Sequence, residues 1–208
     1  MSSAAGRLRT VGLLARSAGI ELLERSLLAN MTIEPVGVAT HRFLPRSESP
    51  DRAERAEFSM FQRLCADAGI PLFAVDDPVE ARELPFLEAM TPIDLLCSVS
   101  WRFVLSPSAL ARPRVAAINL HRGKLPEFAG AEPVRRMIEA GLPDAVITAH
   151  EMVASVDAGP VLATVSLPIE RDERLDSATQ AECVKEALVP LYPLVFEKAL
   201  RALEQAGR

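Results

Sequence analysis

Residues 94–100, DLLCSVS, and residues 116–121, AAINLH, are two short runs nearly free of charge. A continuous apolar run of that length suits a strand buried on both faces, as in a parallel sheet covered by helices. Three more strand-like runs precede them: 9–15 (RTVGLLA), 33–40 (IEPVGVAT) and 71–75 (PLFAV). Two follow, at 145–152 and 161–169, joined by a loop. Helical patterns fill the intervals. Residues 21–28 place Leu22, Leu23 and Leu27 on one face. Residues 53–68 space Phe58, Phe61, Leu64 and Cys65 three or four apart, and Gly69 stands where a helix ends. Shorter helices are expected at 79–90, 105–110 and 132–140. A longer one covers 177–205, interrupted around Pro190 and Pro193. A polar loop with Pro45 and Pro50 occupies 41–51. Strands alternating with helices at this spacing predict an α/β fold, a single doubly wound, mostly parallel sheet with helices on both faces.

The chain has 208 residues, enough for one domain with a real core, and one domain over 1–208 is expected. Apolar residues make up 49% and charged residues 25%, which excludes a disordered or collagenous chain. No uncharged stretch is long enough to span a bilayer. The net charge of -5 gives no electrostatic reason to hold a long polyanion, so no nucleic-acid partner is expected. Cys65, Cys97 and Cys183 are far apart, form no CxxC pair and sit among apolar residues; they read as reduced core thiols of a cytoplasmic protein. The small, polar start at 1–10 lacks the apolar segment of a signal peptide and reads as a frayed end.

In doubly wound sheets ligands bind beyond the carboxyl ends of the strands. Asn119 and His121 stand there, two apart on one strand, so both side chains leave the same face. An amide beside an imidazole can donate hydrogen bonds to a developing oxyanion. Asp157 lies in a loop shaped by Gly159 and Pro160, and its carboxylate would orient the imidazole and favour its charged form. On spacing alone, Asn and His at a strand end equally well cap neighbouring backbone.

The context of these residues decides between the readings. The segment 117–130, AINLHRGKLPEFAG, and the segment 146–162, VITAHEMVASVDAGPVL, resemble the folate-dependent formyltransferases. That family includes glycinamide ribonucleotide, methionyl-tRNA and sugar formyltransferases. Its pattern is Asn-x-His, a loop ending Leu-Pro, a Gly before a helix, Thr-x-His, then Asp-x-Gly-Pro. The chain supplies Asn119, His121, Leu125-Pro126, Gly130, Thr148, His150, Asp157 and Gly159-Pro160 in that order. The resemblance implies catalytic roles for Asn119, His121 and Asp157. It implies 10-formyltetrahydrofolate as formyl donor, with Trp101, Phe103, Leu105, Val153 and Ser155 lining its pocket; a core tryptophan is the competing account of Trp101. His150 would brace the site or serve as a buried structural histidine.

The chain departs from the pattern in two places. Where the family has Pro-Ser-Leu after its histidine, this chain has Arg122-Gly123-Lys124, and Ala158 replaces the usual Thr or Ser after the aspartate. These changes bear on the substrate and leave the Asn-His-Asp trio intact. Lys124 is expected to meet the acceptor, a solvated loop lysine being the alternative. The stretch 15–20 after the first strand has one glycine, which argues against a ribonucleotide phosphate cradled there by backbone. The further C-terminal domain of the tRNA enzymes and the extra N-terminal domain of formyl-folate hydrolases do not follow from these 208 residues. His41 reads as part of a solvated turn, and Arg135 and Arg136 as solvated helix residues. Three histidines without nearby Cys or carboxylate spacing predict no metal site, and no G-x-G-x-x-G predicts no nicotinamide cofactor.

The resemblance therefore implies an enzyme of one-carbon metabolism that N-formylates a small-molecule amine: an amino sugar, an amino acid or a hydroxylamine. A glycinamide ribonucleotide enzyme and a non-catalytic folate-binding relative are the alternatives. No membrane partner is expected, and a homodimer is.

Overall fold

The computed structural model describes residues 6–208. Of the frayed start expected at 1–10, residues 1–5 lie outside the described residues, and Leu8 already opens the first strand. The chain gathers into two compact units, one ending at Ala117 and the other running Ile118–Arg208.

The first unit holds four parallel strands: β1 (Leu8–Leu14), β2 (Ile33–Thr40), β3 (Leu72–Ala74) and β4 (Leu95–Val99). Their order is β3-β2-β1-β4. The chain builds outward from β1 to β3, then returns to the other side of β1. That reversal between β1 and β4 is the switch point of a doubly wound sheet. Every residue of β4 is buried, as its uninterrupted apolar sequence requires. Helix α1 (Arg16–Leu22), continued by a π-helical turn at Leu23–Leu27, links β1 to β2. Helix α2 (Phe58–Ala68) buries Phe58, Phe61 and Cys65 and ends at Gly69, whose φ of 66° is the left-handed conformation glycine supplies there.

α2 starts five residues later than the 53–68 pattern predicts, because residues 53–55 are held by the chain before them. Glu54 bridges to Phe43, and the Arg55 N–H donates to the Arg42 carbonyl at 2.9 Å. The helix expected at 79–90 divides. α3 (Pro78–Glu83) is capped by Asp77, and a 3-10 segment follows at Pro85–Met90, with Leu84 in the left-handed region between them. Helix α4 (Pro107–Leu110) begins at its proline, with Ser106 as N-cap.

The second unit starts within β5 (Ala116–His121) and adds α5 (Pro133–Glu139), β6 (Asp144–Glu151), β7 (Val161–Pro168), α6 (Ser177–Leu188) and α7 (Tyr192–Gln205). α7 packs on β6 and β7, burying Val195, Phe196, Ala199 and Leu203. The α/β class with a mostly parallel sheet holds, but β5, β6 and β7 pair antiparallel. The link from β6 to β7 is too short for a crossover helix. Between β5 and β6, the seven residues of α5 span about 10 Å, less than the roughly 20 Å of the strands, so the helix does not carry the chain back to the starting end.

Candidate active site

The register of β5 against β6 assembles the first half of the site. Asn119 lies opposite His150, and His121 opposite Thr148. Strand alternation puts these four side chains on one face. His121, His150 and Thr148 are buried, whereas Asn119 is half-buried.

Asp157 completes the network from the loop between β6 and β7. Its φ of 52° is in the left-handed region, an uncommon backbone state for a residue with a side chain. The loop turns tightly against its own base. Glu151 N–H donates to the Pro160 carbonyl at 2.9 Å, and a β-carbon on Gly159 would overlap the Glu151 carbonyl. So held, Asp157 Oδ2 stands 3.3 Å from His121 Nδ1, and Oδ1 stands 3.4 Å from His150 Nε2. The Asn119 amide nitrogen lies 3.4 Å from Asp157 Oδ1 and 3.2 Å from His150 Nε2. The Gly130 N–H donates to Asp157 Oδ2 at 2.9 Å. His150 Nδ1 faces the Glu151 carbonyl at 2.9 Å. A carbonyl only accepts, so Nδ1 carries a hydrogen, while Nε2 faces both the Asn119 amide and Asp157 Oδ1.

The loop after β5 closes over the imidazole. His121 Nε2 lies 2.9 Å from the Phe128 carbonyl, and Thr148 Oγ1 donates to the Gly123 carbonyl at 2.7 Å. A β-carbon on Gly123 would stand 2.7 Å from His121 Nε2. Arg136, expected to be solvated, braces this loop by donating to the Ala129 carbonyl at 2.7 Å, while Arg135 pairs with Glu139. The bracing by Gly130, Phe128 and Arg136 was not legible in the sequence, because backbone groups supply most of it.

Two opposing influences act on the His121 imidazole. Asp157 does favour the charged form of His121, but burial is the stronger influence and holds the imidazole below its ordinary pKa. The Phe128 carbonyl and Asp157 oppose that shift, and His150 and Arg122 reinforce it. Burial alone would raise the Asp157 carboxyl. Hydrogen bonds from His150 and Gly130 and the charge of His121 outweigh burial and keep it below the usual carboxylate value.

A family model described as Formyl transferase matches residues 66–194, more than half of the chain. The chain belongs to the formyl transferase family. It is 33% identical over 159 residues to a methionyl-tRNA formyltransferase of Acidithiobacillus ferrooxidans, covering 75% of this chain and 49% of that one. The chain thus spans about half the length of that relative. Its fold is similar to glycinamide ribonucleotide transformylase 1 of Symbiobacterium toebii, with a TM-score of 0.72 and 18% identity over 96% of this chain and 88% of that one. It is likewise similar to a formyltetrahydrofolate deformylase of Pseudomonas syringae, with a TM-score of 0.71 and 18% identity over 97% and 63%.

The other residues that the family resemblance singles out are spread through the structure. Val153 and Ser155 are exposed in the loop that carries Asp157. Lys124 is exposed and pairs with Glu127 at 2.8 Å. Trp101, Phe103 and Leu105 lie in the first unit. There the Trp101 ring stacks on His41 at 4.1 Å, with Phe103 edge-on to the same imidazole at 5.4 Å, and Leu105 is buried. Their bearing on the donor rests on the resemblance alone. His41 is therefore no solvated turn residue: it is 1% exposed, and Nδ1 faces the Val75 carbonyl at 2.6 Å. Cys183 is no core thiol but exposed on α6, whereas Cys65 and Cys97 are buried. Among the described residues, no three His, Cys, Asp or Glu side chains group as metal ligands, and no helix is long and apolar enough to cross a membrane.

Proposed function

We propose that this family member transfers the formyl group of 10-formyltetrahydrofolate to an amine of a small-molecule acceptor, with Asn119, His121 and Asp157 as its catalytic residues. The observation that carries the reading is the placement of Asp157, whose two oxygens face His121 and His150 while Asn119 flanks them on the same strand face. Such a set can hold a developing oxyanion and take up a proton, the two needs of acyl transfer without a covalent enzyme intermediate.

The donor supplies the formyl carbon, and the acceptor nitrogen displaces the folate nitrogen from it. The Asn119 amide is half-buried, and its hydrogen bonds of 3.2 and 3.4 Å are long, so the formyl oxygen can replace them. The His121 Nε2–H is a second donor once it exchanges the Phe128 carbonyl for that oxygen. Asp157, ionised at neutral pH, takes the proton that the attacking amine releases, and a water returns it to the leaving nitrogen. Val153 and Ser155 would contact the donor. Lys124 would meet an anionic group of the acceptor, as an alternative to its pairing with Glu127. An amino sugar, amino acid or hydroxylamine suits this chemistry, with no nucleic acid required.

The test is incubation with 10-formyltetrahydrofolate and a panel of such amines. Release of tetrahydrofolate that depends on amine, with a formylated product, supports the proposal. Release at the same rate without amine, yielding formate, would make the protein a hydrolase. Binding of the donor without release would make it a folate-binding relative.

A further inference from the structure

The loop ahead of α5 turns its backbone toward two of the side chains proposed as catalytic. The Phe128 carbonyl lies 2.9 Å from His121 Nε2, and the Gly130 N–H donates to Asp157 Oδ2 at 2.9 Å. The same four residues, 127–130, meet one cation. Arg136 Nη1 donates to the Ala129 carbonyl at 2.7 Å, and Nη2 lies 3.4 Å from the Glu127 carbonyl. Its guanidinium carbon stands 5.6 Å from the centre of the Phe128 ring, within reach of a cation–π contact.

The Ala129 carbonyl and the Gly130 N–H are the two ends of one peptide group. That group is planar and trans, so its C=O and N–H point in opposite directions along one dipole of about 3.5 D. A guanidinium at the oxygen and a carboxylate at the hydrogen both align with that dipole. Each strengthens the hydrogen bond of the other, as in any chain of polarised bonds. The placement of Arg136 serves this arrangement. It is exposed on an acidic chain, yet among the described residues it pairs with no carboxylate, whereas Arg135 beside it takes Glu139 at 2.7 Å and Glu132 lies 3.6 Å from Lys185. Arg136 thus gives up rotamer freedom for backbone carbonyls of a single loop. Its base is fixed, because α5 buries Val134, Met137 and Ile138. The other charged or titratable groups acting on this part of the site are His121 on β5, His150 on β6 and Arg122, while Lys124 and Glu127 pair with each other.

We propose that Arg136 is a positioning residue: acting through the Ala129–Gly130 peptide, it strengthens the hydrogen bond that holds the Asp157 carboxylate against His121 and His150. Arg136 touches none of the three side chains proposed as catalytic, and its effect reaches them through backbone alone. Asp157 needs such a hold, since its own backbone sits in the left-handed region at φ 52°. The consequence for turnover rests on the catalytic role proposed for Asp157. The hold itself is read in the free protein, without substrate.

The experiment follows two NMR resonances of the whole isotope-labelled chain as pH is lowered: the Gly130 amide proton and the Asp157 carboxyl carbon. In the unsubstituted protein the Gly130 proton should lie downfield and move upfield in step with protonation of Asp157. Arg136→Gln removes the charge. The Gly130 proton should then start further upfield, and Asp157 should titrate at higher pH, because its ionised form has lost support. Arg136→Lys keeps the charge and a donor, and should return both readings most of the way. Where amine-dependent formyl transfer is found, Arg136→Gln should lower kcat about tenfold, move the acid limb of its pH profile upward and leave both KM values in place. A folded Arg136→Gln protein with the Gly130 and Asp157 resonances of the parent would overturn the proposal. So would a Gly130 proton in the unsubstituted protein that ignores the titration of Asp157, a point decided even if a variant fails to fold. A parent that binds the donor but transfers nothing would sink the formyl-transfer reading, and the two resonances would still decide this one.

Discussion

The imidazole of His121 is committed to the backbone of its own loop, with Nε2 lying 2.9 Å from the Phe128 carbonyl. Because that partner only accepts, Nε2 carries the hydrogen, and the second proton of an imidazolium would sit on Nδ1, facing Asp157 Oδ2 at 3.3 Å. Asp157→Asn removes the charge that favours this second proton while burial still opposes it, so the pKa of His121 should fall further. Titration of the His121 ring by NMR in both proteins checks this. An unchanged value would mean that the two side chains do not interact in solution.

His121→Ala should leave the protein folded while lowering turnover on the order of 10²-fold, the usual cost of losing an oxyanion donor or proton-transfer group. Single-turnover kinetics with saturating donor, beside a thermal unfolding curve, separates the two effects. Near-normal turnover in the folded variant would remove His121 from the mechanism.

Lys124→Ala should leave stability almost untouched, since the pair with Glu127 is exposed and such pairs contribute little. If Lys124 meets the acceptor as proposed, KM for the amine rises about tenfold and KM for the donor stays put. Steady-state kinetics varying each substrate in turn reads the split, and a rise in the donor KM alone would assign the loop to the other half of the site.

His41 makes the first unit sensitive to acid. Burial pushes its pKa from 6.5 down to about 4, with Arg102 and Arg55 adding to the shift and the Val75 carbonyl and Asp76 opposing it. The unfolded chain therefore binds the proton first as pH falls. The neutral ring's contribution is complete above pH 6.5 and is lost progressively down to about pH 4, on the order of 3 kcal/mol in all. Urea unfolding across that range should show the loss, and His41→Asn should flatten it. A His41 that titrates near 6.5 by NMR would contradict this.

Tyr192 is fully buried, its hydroxyl has no hydrogen-bond partner among the described residues, and burial raises its pKa to about 12. Tyr192→Phe removes a buried polar atom that makes no bond, so stability should stay level or rise by up to about 1 kcal/mol. Denaturant midpoints compare the two proteins, and a clear loss on substitution would reveal a partner for the hydroxyl.

Local rules located the elements, and long-range contacts set what those rules missed. All seven strands lie where apolar runs place them, because burial on a sheet leaves a pattern within a few residues. Gly69 marked the end of α2 for an equally local reason. The pairing direction of β5 and β6 escaped, since it depends on how far α5 carries the chain and not on the composition of either strand. Asn119 and His121 were legible as a same-face pair, and Asp157 as the residue of a shaped loop. Its grip on two histidines was not, because that depends on a backbone angle and on the Asn119–His150 register. His41 looked solvated from its polar neighbours, yet Trp101, sixty residues on, covers it.

The Asn119–His150 register also sets which length changes the gene can tolerate. Side chains alternate across a ladder in steps of two, so adding or deleting one residue inside β5 or β6 would bring Ala149 or Glu151 opposite Asn119 and send His150 to the other face. The exposed stretch around Lys124 to Glu127, which lies outside the paired strands, can change length without shifting the ladder, provided Gly130 and Phe128 still reach Asp157 and His121. Natural insertions and deletions in this part of the chain should therefore collect between the strands and spare their interiors, even where the amino acids themselves have diverged.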